Sequence, residues 1–172
     1  MITRFLFVSL MIAVLGTPLV AQADRAEREA YVRKLAEPFA KHVAWAGELE
    51  EALRRSRAEG KLVLAWFTRS YAPCPACQAY EQGPLVSDGG GEEARQFVPY
   101  LNVSARLDDK PDQGLVIEKG GNSFPYGILM DGRGRPLVEF RPLTRQSVAL
   151  AREEGVLHAR LLAATDDPKD LA

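Results

Sequence analysis

The chain has 172 residues, 47% of them hydrophobic and 26% charged, which suits one globular domain with a real core. Its 22 Lys and Arg nearly balance 23 Asp and Glu, so no net field argues for nucleic acid or an anionic surface as partner. Chemistry and partner therefore have to be read from local sequence.

Residues 1–23 read as a signal peptide. Arg4 supplies a positive n-region, Phe5 to Leu15 an apolar h-region, and Ala21-Gln22-Ala23 the small-x-small pattern of a cleavage site. Cleavage is expected after Ala23, which makes the protein periplasmic or secreted, where disulfides persist. The alternative is an uncleaved anchor, because the stretch from Phe5 to Ala21 is close to the lower limit for spanning a bilayer. Gly16, Thr17 and Pro18 interrupt that run and favour cleavage. Membrane contact is expected only through this segment, if it stays uncleaved.

Residues 24–44 form an N-terminal helical extension: Ala26, Ala30, Leu35 and Phe39 recur at roughly helical spacing on a charged segment, and Pro38 ends or bends it. His42 to Trp45 is a short strand candidate. Leu49, Ala52, Leu53 and Ser56 then fall at i, i+3, i+4 and i+7, an amphipathic helix over Glu48–Glu59 that Gly60 stops. Leu62 to Phe67 has no polar break, so it reads as a strand buried on both faces and central in its sheet.

This strand delivers the chain to Cys74-Pro75-Ala76-Cys77, which holds both cysteines of the protein. A helix follows to Gln82, then loop through Ser87–Gly91 and a helical turn within Glu92–Phe97. Val98 to Ala105 reads as a second central strand with Pro99 weakening its start. Pro111 lies in a polar loop, and Gly114–Lys119 suits a short helix. Tyr126–Met130 and Pro136–Phe140 flank Asp131-Gly132-Arg133-Gly134, a hairpin signal. The last helix is capped by Thr144 and carries Val148, Ala151, Leu157, Leu161 and Leu162, with Gly155 interrupting it. Residues 166–172 read as a flexible tail.

Cysteines at i and i+3 share a helix face and can close a small disulfide. A cysteine at a helix N-terminus has its thiolate favoured by unpaired N–H groups. Cys74 is so placed, Pro75 suits the first helical position, and Cys77 lies one turn inside, more shielded. Cys74 then attacks a substrate disulfide and Cys77 resolves the mixed disulfide. A purely structural staple is a poor use of so small a loop. A zinc site needs ligands that only His42 and His158 could add from distant places. Copper on the dithiol remains open, since soft metals accept thiolates. No cofactor and no dedicated metal site are expected. Arg69 reads as solvated, and Asn102-Val103-Ser104 as a glycosylation acceptor inside a strand.

The order of elements describes a mixed sheet covered by helices. From about Trp45 onward the chain resembles the thioredoxin superfamily, particularly its secreted members. The resemblance lies in Leu49–Lys61 entering the apolar strand, the Cys74-Pro75-Ala76-Cys77 motif, and Ser123-Phe124-Pro125-Tyr126 before the hairpin. It implies an α/β thioredoxin-like fold over residues 45–165 with a mixed central β-sheet flanked by helices. It also implies a cis Pro125 facing the dithiol, and a Phe124 backbone that pairs with an extended substrate. The implied activity is thiol–disulfide exchange with protein thiols and disulfides and a redox partner protein, by a monomer. The alternative is a non-catalytic thioredoxin-fold binding module or copper-handling protein using the same dithiol. Three departures stand out. Pro73 replaces the usual Trp before the first cysteine, the loop from Thr68 is two residues longer than in thioredoxin, and Trp66 stands where thioredoxin keeps a buried acid. Proton transfer at Cys77 therefore needs water or another group.

Overall fold

The structure, a computed structural model, describes residues 17–87, 92–111, 113–139 and 145–166. The n- and h-regions of the expected leader, the glycines at 89–91, Phe140, Thr144 and the tail beyond Asp166 lie outside the described residues.

In chain order the elements are α1 (Thr17–Ala36), α2 (Pro38–His42), α3 (Leu49–Glu59), β1 (Val63–Arg69) and α4 (Pro75–Glu81). They continue with β2 (Val98–Ser104), α5 (Gly114–Glu118), β3 (Tyr126–Met130), β4 (Pro136–Glu139) and α6 (Arg145–Asp166). The strands form one sheet in the order β2-β1-β3-β4. β1 runs parallel to β2 and antiparallel to β3, and β3–β4 is the expected hairpin. The unbroken apolar run of β1 is thus explained: it has a partner on each side and helices over both faces.

Alternation along β1 sorts the core into two clusters. Val63, Ala65 and Phe67 face one side, packed with Leu53 of α3, Val116 of α5 and Tyr126. Leu64 and Trp66 face the other, packed with Phe39 of α2, Leu85 after α4 and Ala151 of α6. The N-terminal extension is seated on this second side. Phe39 is fully buried, and its carbonyl accepts a hydrogen bond from Trp45 Nε1 at 3.0 Å.

Four expectations change. The strand candidate at 42–45 contracts to a single bridge, Ala46 beside Tyr100, because α2 runs on to His42 and leaves too few residues. β2 is not central but lies at the sheet edge. Its apolar character reflects helices on both faces and the Ala46 segment along its rim. There Ala46 N donates to Pro99 O at 2.8 Å and Leu101 N donates to Ala46 O at 3.1 Å. The missing N–H of Pro99 points to that rim and not into the ladder, which is where a strand tolerates proline. Helix α6 runs through Gly155 unbroken. A Cβ there would lie 2.8 Å from Leu62 Cδ1 and 3.3 Å from Leu129 Cδ1, so the glycine allows close approach of the helix to the sheet. Finally, the first helix begins at Thr17, within the expected leader, and breaks at Glu37 so that Pro38 opens α2.

Candidate redox site at the start of helix α4

β1 carries the chain from the core to Arg69, a five-residue loop follows, and α4 begins at Pro75. Cys74 is the N-cap, in a non-helical conformation, with its sulfur accepting from Cys77 N at 3.2 Å. Its carbonyl receives Gln78 N at 3.0 Å, the first full helical bond. Pro75 takes the first position without leaving a donor unpaired. The two cysteines form a disulfide with Cα atoms 5.2 Å apart. Cys74 is 7% exposed and Cys77 0%, so one sulfur borders solvent and the other is enclosed.

The Phe124–Pro125 peptide is cis, and its carbonyl oxygen lies 3.8 Å from Cys74 Sγ. The fold therefore brings Cys74, Cys77, Phe124 and Pro125 together, across 50 residues of sequence between Cys74 and Phe124.

Arg69 differs from its sequence reading. Its guanidinium donates to Pro73 O at 2.8 Å and so closes the lengthened loop on itself. It also lies 5.6 Å from the Tyr71 ring and 6.0 Å from the Phe124 ring. Tyr71 meets Phe124 edge to face at 6.4 Å, and Arg106, from the loop after β2, stacks over Tyr71 at 4.7 Å. Cation–π contacts of this kind are worth about 0.5–1 kcal/mol each when exposed. Tyr71 and Arg106 escaped the sequence reading, since no spacing relates them to the cysteines. The loop before Cys74 is thus a braced aromatic and cationic rim.

On the opposite side of Cys74 a groove is bounded by the loop and by Ala30, Arg33, Lys34 and Glu37 from the N-terminal segment. Below it, Lys34 Nζ is paired with Glu81 Oε2. Trp66 stacks on Tyr80 of α4 with centroids 5.5 Å apart. Among the described residues, four buried polar atoms of this region have no hydrogen-bond partner: Trp66 Nε1, Thr68 Oγ1, Arg69 Nε and Glu81 Oε1. The histidines stand apart from any ligand set: His42 is exposed at the end of α2, and His158 Nδ1 lies 3.0 Å from Leu137 O. Among the described residues no group of three or more His, Cys, Asp or Glu gathers as a metal site. Nor is any described helix long and apolar enough to cross a membrane. Asn102 is buried and bonded to Tyr100 and Ser104, so its glycosylation motif is internal.

No protein-family model and no curated protein matches the chain significantly. Thirteen solved chains match in structure. One, a DsbH oxidoreductase, is 21% identical with a TM-score of 0.50, covering 57% of this chain and 72% of its own. The fold is thioredoxin-like. A thioredoxin from Thermus thermophilus, known from a solution structure, is 19% identical with a TM-score of 0.46, covering 73% of this chain and 93% of that one. On this thioredoxin-like scaffold the cysteines occupy the junction of β1 and α4, at disulfide distance.

Proposed function

We propose that the protein is an extracytoplasmic thiol–disulfide oxidoreductase acting on protein substrates. The observation that carries this reading is the asymmetry of the pair. Cys74 caps the helix at the surface with an amide aimed at its sulfur, whereas Cys77 is enclosed. A thiolate at Cys74 is favoured by that amide and can be reached by another sulfur.

In the reducing direction Cys74 Sγ⁻ attacks a substrate disulfide, and one substrate sulfur leaves as a thiolate that takes up a proton. Cys77, losing its own proton, then attacks Cys74 Sγ. The Cys74–substrate bond breaks and the second substrate thiol departs. Two electrons have passed from the dithiol to the substrate, and the reverse sequence oxidises a substrate dithiol. Phe124, with its carbonyl beside Cys74, offers backbone for an extended substrate segment, and Pro125 walls the site. A redox partner protein resets the pair. The export pattern in residues 1–23 supports a periplasmic or secreted location, a compartment in which disulfides persist.

The test is titration of the purified protein against glutathione, with an insulin reduction assay beside it. A reversible two-electron couple, abolished in Cys74→Ser, is the expected result. Absence of a Cys74–Cys77 couple sinks the reading, and stoichiometric copper retained by the native protein and lost in Cys74→Ser would shift it to a metal carrier.

A further inference from the structure

The lengthened loop before Cys74 brings two cations to one ring. Arg106 lies 4.7 Å from the Tyr71 ring centre and Arg69 lies 5.6 Å from it. Two guanidiniums so placed repel each other, and a protein ordinarily sets a carboxylate beside such a pair. The neighbouring cations have one each: Arg33 lies 4.0 Å from Glu29, Lys34 pairs with Glu37 and Glu81, and Lys110 lies 3.5 Å from Asp109. Among the described residues no carboxylate, the exposed Asp108 included, is within ion-pair distance of Arg69 or Arg106. Arg69 has instead a carbonyl partner, Pro73 O, and a buried Nε with none.

These cations stand where a substrate must pass. Arg69, Tyr71 and Cys74 line one groove, and Arg69 lies 6.0 Å from the ring of Phe124, whose carbonyl is 3.8 Å from Cys74 Sγ. A hollow of about 740 Å³ also opens at Tyr71, lined by Arg106, Asp108 and Lys110. An extended segment advances about 3.4 Å per residue, so with its cysteine at Cys74 the next one or two side chains come level with this rim. We propose that Arg69 and Arg106 select the substrate: protein segments with Asp or Glu within about two residues of the reacting cysteine. The proposal rests on the exchange reading and names its substrate class, while the electrons and protons move as in that exchange. A guanidinium offers a carboxylate a planar fork of donors, and stacking on Tyr71 holds that fork in place. Segments with Lys or Arg at the same positions meet like charge and are turned away. The chain as a whole carries 22 basic and 23 acidic residues, so the preference is a property of the rim and not of the overall field.

Three synthetic peptide disulfides serve as probes, identical but for Glu, Gln or Lys on either side of the single cysteine in each strand. The reduced full-length protein is mixed with each, and release of peptide thiol is followed by acid quench and mass analysis. Each rate is divided by that of free dithiothreitol on the same peptide, which removes the reactivity of the disulfide itself. At about 0.01 M salt the Glu peptide is expected to react about 10-fold faster than the Gln peptide and the Lys peptide more slowly, with the differences shrinking toward unity at about 1 M. Arg106→Gln should lower the Glu-to-Gln ratio to about 3-fold, and Arg106→Glu should abolish it. Arg106 is exposed, so neither variant disturbs the core, and a ratio taken within one variant cancels any loosening of the loop. Equal rates for the three peptides in the native protein, or the native ratio in both variants, overturn the proposal and leave the exchange reading standing. A native protein that exchanges with none of the peptides overturns that reading and the proposal with it.

Discussion

The two faces of the central sheet treat buried polar groups in opposite ways. On the side of Phe67, a chain of side-chain bonds runs through β2: Asn102 Nδ2 donates to the Tyr100 hydroxyl at 3.2 Å, and Ser104 Oγ donates to Asn102 Oδ1 at 3.2 Å. Nearby, Ser56 Oγ donates to Lys61 O and Tyr126 OH donates to Lys119 O. On the side of Trp66 lie three of the five buried side-chain atoms that have no partner among the described residues, the other two being Glu27 Oε2 and Arg69 Nε, together with the Lys34–Glu81 pair and the enclosed sulfur. A satisfied network rigidifies a core, whereas an unsatisfied buried group costs stability. One face is built to hold the sheet, and the other gives up stability beneath the dithiol.

The sharpest break of this contrast is Phe67→Ala. The Phe67 ring is fully buried between Tyr100 and Tyr126, at 6.1 and 5.9 Å. Its loss should cost about 3–5 kcal/mol in chemical denaturation. The effect should fall chiefly on stability, because the contacts of the ring are with Tyr100 and Tyr126.

Asn102→Ala severs the link between Tyr100 and Ser104 and should cost about 2 kcal/mol. Burial holds the Tyr100 hydroxyl above its ordinary range, and the bond from Asn102 partly opposes this. The variant should therefore move the Tyr100 titration further up, which ultraviolet absorbance in alkaline solution reads directly.

A smaller effect is expected at the hairpin turn, which is tied to the Phe67 side where Arg57 donates to Gly132 O at 2.6 Å. Burial pushes the Asp131 carboxyl up, but bonds from the amide and guanidinium of Arg135 and from Arg133 N–H outweigh it and hold the carboxyl below its usual range. A carboxylate lowered by folding adds stability above its unfolded value, about 4, and loses that contribution as pH falls through the folded value. Asp131→Ala should thus melt earlier at neutral pH, by about 1–2 kcal/mol. The gap to the native protein should close below about pH 4.

The smallest change has the opposite sign. Thr68→Val removes a buried hydroxyl that has no partner and keeps its shape, so it should raise stability by about 1 kcal/mol. A loss on thermal unfolding would show that the Trp66 side is as well satisfied as its opposite.

What was legible in the sequence was local. The amphipathic spacing of Leu49 to Ser56, the apolar run of β1 and the hairpin residues each state a relation within a few positions, and the structure has all three. Cys74 at the start of α4 is of the same kind, because N-cap, Pro75 and the i to i+3 spacing lie within one turn. Relations that depend on which strand lies beside which were misread. The apolar character of Val98–Ser104 could not reveal that it forms an edge covered by Ala46. Gly155 looked like a break because propensity says nothing about what a helix packs against.

The cysteine pair and the thioredoxin-like succession of elements were thus determined by the chain itself, through backbone preferences that act over one or two turns. Tertiary structure alone decided what surrounds that pair. It set Arg106 over Tyr71, the Phe124 carbonyl beside Cys74, and Lys34 against Glu81 across 47 residues. The physical reason is that such contacts are chosen by how the faces of the sheet are covered, and no periodicity within a segment records which helix will cover which face.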